Sequence, residues 1–336
     1  MNPRIIFFGT PDYSLIILEA LHKAKFPIVA VVTKPPRPIG RKQILTETPV
    51  ARWAANHQVV SITPQTHALH YWQYADEAKF MSEVLTTKPD ILITADYTQL
   101  IPMPLIRQVK YGGLNIHPSL LPHYRGPAPV PWAILNGETE TGVSIVTLAE
   151  KFDEGVVIAQ EKEPIKNDDT THTLLTRLFE KGAELLVDIL PQYIKKNPNY
   201  QLPTTNSLPS STPRLTREHG FIPWELIQSA IEGKIFDLAT MKQCSNETIF
   251  KTLTASSRNA LQNTSIAIFL DRLFRAFHPW PGLWTKIRIN NQEKRMKLLD
   301  VKLKENKLII NSVQLEGKTP FHGSETEKMI QKILAT

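Results

Sequence analysis

Apolar and polar positions alternate along this chain in two different rhythms. In the first half, short continuous apolar runs are separated by stretches with helical spacing. Arg4–Phe8 reads as a buried strand, and Ser14–Lys23 follows with Leu15, Ile16, Leu18 and Leu21 at helical intervals. Ile28–Val32 is a second buried strand, and Pro49–Asn56 is a short helix with proline at its first position. Ile91–Thr94 is another strand, followed by an irregular stretch over Asp96–Pro104. Leu114–Ile116, Val143–Leu148 and Val156–Gln160 read as strands, and Thr171–Leu190 is a strongly amphipathic helix. Strands alternating with helices predict an α/β domain with a mostly parallel sheet, whose ligands bind outside the carboxyl ends of the strands.

The rhythm then changes. Residues 201–213 hold three prolines among Ser, Thr and Asn, which is linker chemistry. Beyond them Pro223–Ile231 looks helical. Lys286–Ile289, Met296–Leu303 and Leu308–Leu315 alternate with period two, as half-exposed antiparallel strands do. The expected organisation is a first domain over 1–200, a linker over 201–213, and a smaller β domain over 214–336. A barrel of the OB type is the expected form of the second domain. No internal repeat or low-complexity tract interrupts this pattern.

Composition narrows the function classes. Of 336 residues, 42% are hydrophobic and 21% charged, which excludes a mostly disordered chain. No apolar run approaches the ~18 residues of a membrane span. Gly9-Thr10-Pro11-Asp12 cuts the first apolar run too short for a signal peptide. Cys244 is the only cysteine, so an intrachain disulfide and a cysteine-based zinc site are excluded, and a cytosolic location is the simplest expectation. The formal net charge is +7. Lys286–Lys307 alone carries eight basic and three acidic residues, a local excess that suits a polyanionic partner and equally a solvated strand face.

The densest chemistry lies in Leu114-Asn115-Ile116-His117-Pro118-Ser119-Leu120-Leu121-Pro122. A strand delivers Asn115 and His117 to one side, and two prolines fix the loop after it. A second loop, Phe152-Asp153-Glu154-Gly155, adds an acid. An amide and an imidazole can donate to a developing oxyanion, and a carboxylate can orient the imidazole and favour its charged form. That set suits acyl or formyl transfer, although spacing alone slightly favours a turn-capping role. A Ser119–His117–Asp153 hydrolase triad fits worse, because Ser119 follows proline, lacks G-x-S-x-G and sits two residues from the histidine. His117 and His123 have poor spacing for a metal. Phe8-Gly9-Thr10-Pro11-Asp12 is not a dinucleotide fingerprint, and there is no P-loop.

These residues resemble a known family. Asn115-Ile116-His117-Pro118-Ser119-Leu120-Leu121-Pro122, then Tyr124-Arg125-Gly126, Trp132-Ala133-Ile134, Gly137–Val143 and Asp153-Glu154-Gly155, is similar to the signature of the folate-dependent formyltransferases. Phe8–Asp12 resembles the opening loop of the tRNA-directed branch of that family. Arg37-Pro38-Ile39-Gly40-Arg41-Lys42 resembles its basic insertion loop, and Arg275–Gly282 the helix-to-barrel signature of its C-terminal domain. The chain departs from the family at Asp96-Tyr97-Thr98, where Ala-Tyr-Gly is usual in a loop that helps to form the folate pocket. It also carries a longer stretch near 232–268, which looks like an insertion.

The resemblance implies a Rossmann-like formyltransferase domain followed by an OB-like domain. It implies transfer of a formyl group from 10-formyltetrahydrofolate to the α-amine of initiator methionyl-tRNA, without a metal. By similarity, Asn115, His117 and Asp153 are catalytic. Tyr97, Ser119, Leu120, Leu121, Pro122 and Gly155 line the folate site. Arg37, Arg41, Lys42, Lys294, Arg295 and Lys297 contact tRNA. No membrane or protein partner is implied. Glycinamide ribonucleotide and sugar-nucleotide formyltransferases would share the catalytic set but give no use to the basic second domain. A degenerate fold serving as an RNA-binding module is the non-enzyme alternative.

Overall fold

The computed structural model describes residues 2–40, 42–196, 209–236, 264–289 and 291–334. Arg41, residues 201–208 of the expected linker, and residues 237–263 of the expected insertion, Cys244 among them, lie outside the described residues. The chain divides into two compact units. The first comprises Met1–Pro127, Glu140–Pro164 and Leu175–Ser211, and the second Ala128–Thr139, Ile165–Leu174 and Thr212–Thr336.

The first unit is built on a seven-stranded sheet. Its strands are β1 (Ile5–Gly9), β2 (Ile28–Val32), β5 (Val60–Ile62), β6 (Ile91–Ala95), β7 (Gly113–His117), β8 (Glu140–Thr147) and β9 (Val157–Pro164), in the order β5-β2-β1-β6-β7-β8-β9. The first five are parallel, and β8 and β9 add antiparallel strands at one edge. Alternate residues along each strand feed opposite faces. Ile5, Phe7, Val31, Ile93, Leu114 and Ile116 pack under α1 (Asp12–Lys23), α2 (Pro49–Asn56) and α6 (Thr171–Lys196). Ile6, Phe8, Val32 and Leu92 pack under α3 (Glu77–Thr86) and α4 (Met103–Gln108). Each such side chain taken from water stabilises the fold by roughly 1.5–3 kcal/mol. The mostly parallel Rossmann-like sheet expected from the alternation is therefore present.

Close packing fixes the strand that carries the chemistry. A Cβ on Gly182 of α6 would lie 2.9 Å from both Ile116 and Val143. Glycine at 182 thus lets α6 lie directly on β7 and β8. The stretch Arg37–Lys42, which reads as a loop in the sequence, is part of a two-stranded hairpin, β3 (Arg37–Ile39) with β4 (Ile44–Thr46). Its outward residues include Ile39, Ile44 and Leu45, all largely exposed, and neither strand alternates because neither covers a core.

The second unit holds α5 (Pro129–Asn136), α7 (Trp224–Ile231), α8 (Ile266–Phe277) and α9 (Ser324–Leu334). Its β10 (Leu283–Ile289), β11 (Gln292–Lys304), β12 (Lys307–Leu315) and β13 (Phe321–His322) form an antiparallel four-stranded sheet in chain order. This is the smaller β domain expected after the α/β one. Every residue of α5 is buried, and its Trp132 ring meets Phe277 of α8 and His219 edge-on. A helix apolar in every residue but its last, Asn136, and holding two prolines has no periodicity to announce it, so its sequence does not read as a helix. On the sheet, Leu283, Thr285, Ile287, Met296 and Leu298 turn inward, while Lys286, Arg288 and Lys297 turn outward.

Candidate active site

Asn115 and His117 stand at the carboxyl end of β7, two residues apart and on one face, as strand alternation requires. Asp153 reaches them from the loop after β8. Its Oδ1 accepts a hydrogen bond from Asn115 Nδ2 at 3.1 Å and lies 3.4 Å from His117 Nδ1. Its Oδ2 accepts from the Gly126 backbone N–H at 2.8 Å. The His117 and Asp153 side chains are 6% and 7% exposed, so the carboxylate is held by these donors rather than by water. His117 Nε2 lies 2.9 Å from the Tyr124 carbonyl oxygen. Both ring nitrogens therefore face oxygen atoms.

The loop geometry behind this is specific. Asp153 adopts φ 57°, in the left-handed region, which turns its carboxylate back toward β7. A Cβ on Gly155 would collide with the Thr147 carbonyl oxygen, so the return to β9 requires glycine there. Thr94 on β6 is a contributor that sequence reasoning missed. It sits beside Asn115 in the parallel register, and its Oγ1 donates to Asn115 Oδ1 at 2.7 Å. That bond spends the amide oxygen and aims the amide N–H groups at Asp153 and the crevice. A partner supplied by strand register leaves no linear signal.

Ser119 is buried, and its hydroxyl donates to the His123 carbonyl at 2.7 Å. The hydroxyl holds this turn, and the Ser119 backbone N–H donates to the His117 carbonyl at 2.9 Å, so the contact with His117 is through backbone. Ser144 Oγ donates to the Ser119 carbonyl, the Leu121 N–H donates to Ser144 Oγ, and Gln160 Nε2 donates to the Leu121 carbonyl. Leu120 and Pro122 stay half-exposed on this clamped turn, while Leu121 is buried. Tyr97 packs edge-on against Phe8 at 5.4 Å and donates to Gln99 Oε1 at 2.9 Å. Burial raises its phenol pKa, so it stays neutral. Asn115, His117 and Asp153 are thus brought together. Tyr97 is an inward-packed side chain at the end of the neighbouring strand.

The residues expected to meet tRNA divide by position. Arg37 and Lys42 are exposed on the β3–β4 hairpin. On the second unit's sheet, Arg295 pairs across from Lys286 and Lys297 from Trp284, on the outer face. The Arg295 guanidinium lies over the Trp284 ring at 4.2 Å. Lys294 pairs with Ile287 and belongs to the opposite face. Adjacent strand residues alternate, so Lys294 and Arg295 cannot serve one surface. Among the described residues, no group of three or more metal-ligating side chains is assembled, and no helix is long and apolar enough to cross a membrane.

Known proteins match this architecture. The formyl transferase family model matches residues 3–190. The methionyl-tRNA formyltransferase of Halalkalibacterium halodurans is 39% identical over 234 residues, covering 68% of this chain and 71% of that protein. The methionyl-tRNA formyltransferase of Enterococcus faecalis is 36% identical over 232 residues, covering 69% and 71%. Among solved structures, a HypX variant from Aquifex aeolicus superposes with a TM-score of 0.58 at 16% identity, over 99% of this chain and 48% of that one, a likeness of fold alone. Matched over more than half its length by the family model and over two thirds by these relatives, the chain belongs to the formyl transferase family, among the methionyl-tRNA formyltransferases.

Proposed function

We propose that this protein transfers a formyl group from 10-formyltetrahydrofolate to the α-amine of initiator methionyl-tRNA, in the cytosol. The observation that carries the reading is the linked set Asn115–Asp153–His117 at the carboxyl end of β7. Identity of 36–39% to proteins named for this reaction supports it.

The bound folate would supply an electrophilic formyl carbon. The residues present fit such a donor: a clamped turn with half-exposed Leu120 and Pro122 lies beside two side chains able to donate to an oxygen. Asn115 has two N–H groups on Nδ2, and one is engaged by Asp153. The other is available to an oxygen that gains charge as the amine attacks and loses it as the formyl C–N bond to the folate breaks, with the amine proton passing to the departing folate nitrogen. His117, oriented by Asp153, donates to the same oxygen once Nε2 exchanges the Tyr124 carbonyl for it. The Asp153 carboxylate keeps that imidazole aligned, and it receives no covalent role. Ser119 shapes the turn and takes no part in bond making. The exposed cations Arg37 and Lys42 of the β3–β4 hairpin and Lys297 of the outer sheet face, with the half-buried Arg295 beside it, would meet backbone phosphates.

The test is formyl transfer to charged initiator tRNA, with glycinamide ribonucleotide and a sugar-nucleotide amine as control acceptors. Turnover with the tRNA alone is the expected result. Turnover with either small amine instead would overturn the reading, and tRNA binding without turnover would leave an RNA-binding module.

A further inference from the structure

Asp96 is placed where this fold puts its ligands. From β1 the chain winds to β2 and β5 on one side and to β6 and β7 on the other, so the sheet reverses direction between β1 and β6. Such a switch point opens a crevice at the carboxyl ends of the strands. Ala95 pairs with Gly9 on one side and Ile116 on the other. Asp96, the next residue, therefore follows directly on the strand end that lies between Gly9 and Ile116.

Asp96 and Tyr97 part company at this point. Tyr97 turns into the core against Phe8, and its hydroxyl meets Tyr74 and Gln99. Asp96 takes φ 50°, in the left-handed region, and keeps its side chain accessible to solvent. Desolvation pushes its carboxyl above the usual carboxylate range, and Lys34, which follows β2, pulls the other way. Its charge is also felt by Tyr13 on α1, whose phenol is raised by burial first and then by Asp96 and Asp12. An accessible carboxylate at this strand end opens onto the crevice. The groups that feel its charge, Lys34 and Tyr13, follow β2 and lie on α1, while the clamped turn 119–122 and the Gly155 loop lie by β7–β9. At the same strand ends, Thr10 Oγ1 and Thr98 Oγ1 are buried without a hydrogen-bond partner among the described residues, as happens where a polar ligand is missing.

We infer that Asp96 receives the α-ammonium of the incoming aminoacyl ester, and so positions the acceptor on the β1–β2 side of the crevice. The inference rests on the proposed function. The α-amine is the only cationic group at the aminoacyl end, and α-amines titrate near neutrality, at about 7.7–8.0 in peptides. A carboxylate inside a crevice attracts that cation more strongly than one in open water. Lys34 balances the carboxylate while no acceptor is bound. The amine releases its proton to solvent before it attacks, so Asp96 holds the acceptor and takes no part in the transfer itself.

The experiment compares the full-length wild type with Asp96→Asn, using two ligands: initiator methionyl-tRNA and the same tRNA carrying the α-hydroxy analogue of methionine. The wild type should bind the methionyl form more tightly. Asp96→Asn should raise the acceptor KM about tenfold, the scale of a lost charge-assisted hydrogen bond, with kcat and the donor KM little changed. Its affinity for the α-hydroxy analogue should stay at the wild-type level, which also reports a folded protein. If Asp96→Asn keeps the preference for the ammonium form, or if only the donor KM moves, the inference is overturned. If the wild type does not formylate methionyl-tRNA at all, the proposed function fails first; if it does and Asp96→Asn matches it in every measure, only this inference fails.

Discussion

The β7 site and the outer face of the β10–β12 sheet solve their electrostatics in opposite ways. In the site, one carboxylate serves three partners: Asn115, His117 and the Gly126 N–H. His117 and Asp153 are buried and Asn115 and Gly126 half-buried, so removing the carboxylate leaves its partners unpaired with little water to replace it. On the sheet, Lys286, Arg288, Arg295 and Lys297 share a face but not a partner network. Lys286 pairs with Glu293 at 2.8 Å, with both side chains more than half exposed, and water can replace either. Interlocked buried groups act as a unit, whereas separated surface charges contribute additively. The site should therefore fail at single substitutions and the basic face only at several.

The sharpest break of this contrast is expected in the site. His117→Ala and Asp153→Asn should each lower formyl transfer by about 10²–10⁴-fold while the protein stays folded. Single-turnover transfer alongside thermal unfolding measures both, and near wild-type turnover in either variant would remove the assignment. Next comes the combined replacement of Lys286, Arg295 and Lys297 by Gln. It should weaken tRNA binding and flatten its log–log salt dependence by roughly 2–3 units, since each phosphate contact contributes about 0.7–0.9. Lys294→Gln, on the other face, should change that slope much less. A titration across a salt series compares the two variants, and an equal effect of Lys294 alone would mean that face does not decide contact.

Two smaller effects sharpen the comparison further. Ser119→Ala loses the bond to the His123 carbonyl, which contributes about 1 kcal/mol, and should slow transfer only a few-fold. Chemical denaturation and steady-state rates report this, and a loss equal to that of His117→Ala would reopen the case for a serine nucleophile. The last effect lies in the second unit. Burial holds the His219 imidazole below its ordinary pKa. The unfolded chain then binds that proton more readily than the folded one, so stability rises with pH through this range. It is fully present above about 6.5 and is lost as pH falls below it. Melting temperatures between about pH 5 and 7.5 should slope less in His219→Gln than in the wild type; parallel slopes would mean that His219 titrates as it does in the unfolded chain.

Particular residues mark how far the site could be read in advance. The two-residue spacing of Asn115 and His117 on an apolar strand was enough to put both on one face, and the structure has them there. The adjacency of Lys294 and Arg295 carried its own warning, because neighbours on a strand point apart, and the structure separates them. Thr94 was out of reach: it meets Asn115 only because β6 and β7 lie in parallel register across a connection of many residues. Asp153 could be noticed as an acid beside a glycine, yet its left-handed backbone, which aims the carboxylate, is visible only in the fold.

Local physics was sufficient wherever the sequence interacts with itself at short range. Hydrophobic period separates parallel-sheet strands from half-exposed ones, proline and polar residues break it, and charge density marks the basic strands; all are read within a few residues of chain. Tertiary structure alone decided what depends on distant segments meeting. The pairing of Asn115 Oδ1 with Thr94, the sharing of Asp153 between β7 and the Gly126 backbone, and the opposite fates of Asp96 and Tyr97 all arise from strand order and register. Those are set by which buried faces pack together, α6 on β7 through Gly182 among them, and packing of that kind sums over the whole core rather than over any one stretch of sequence.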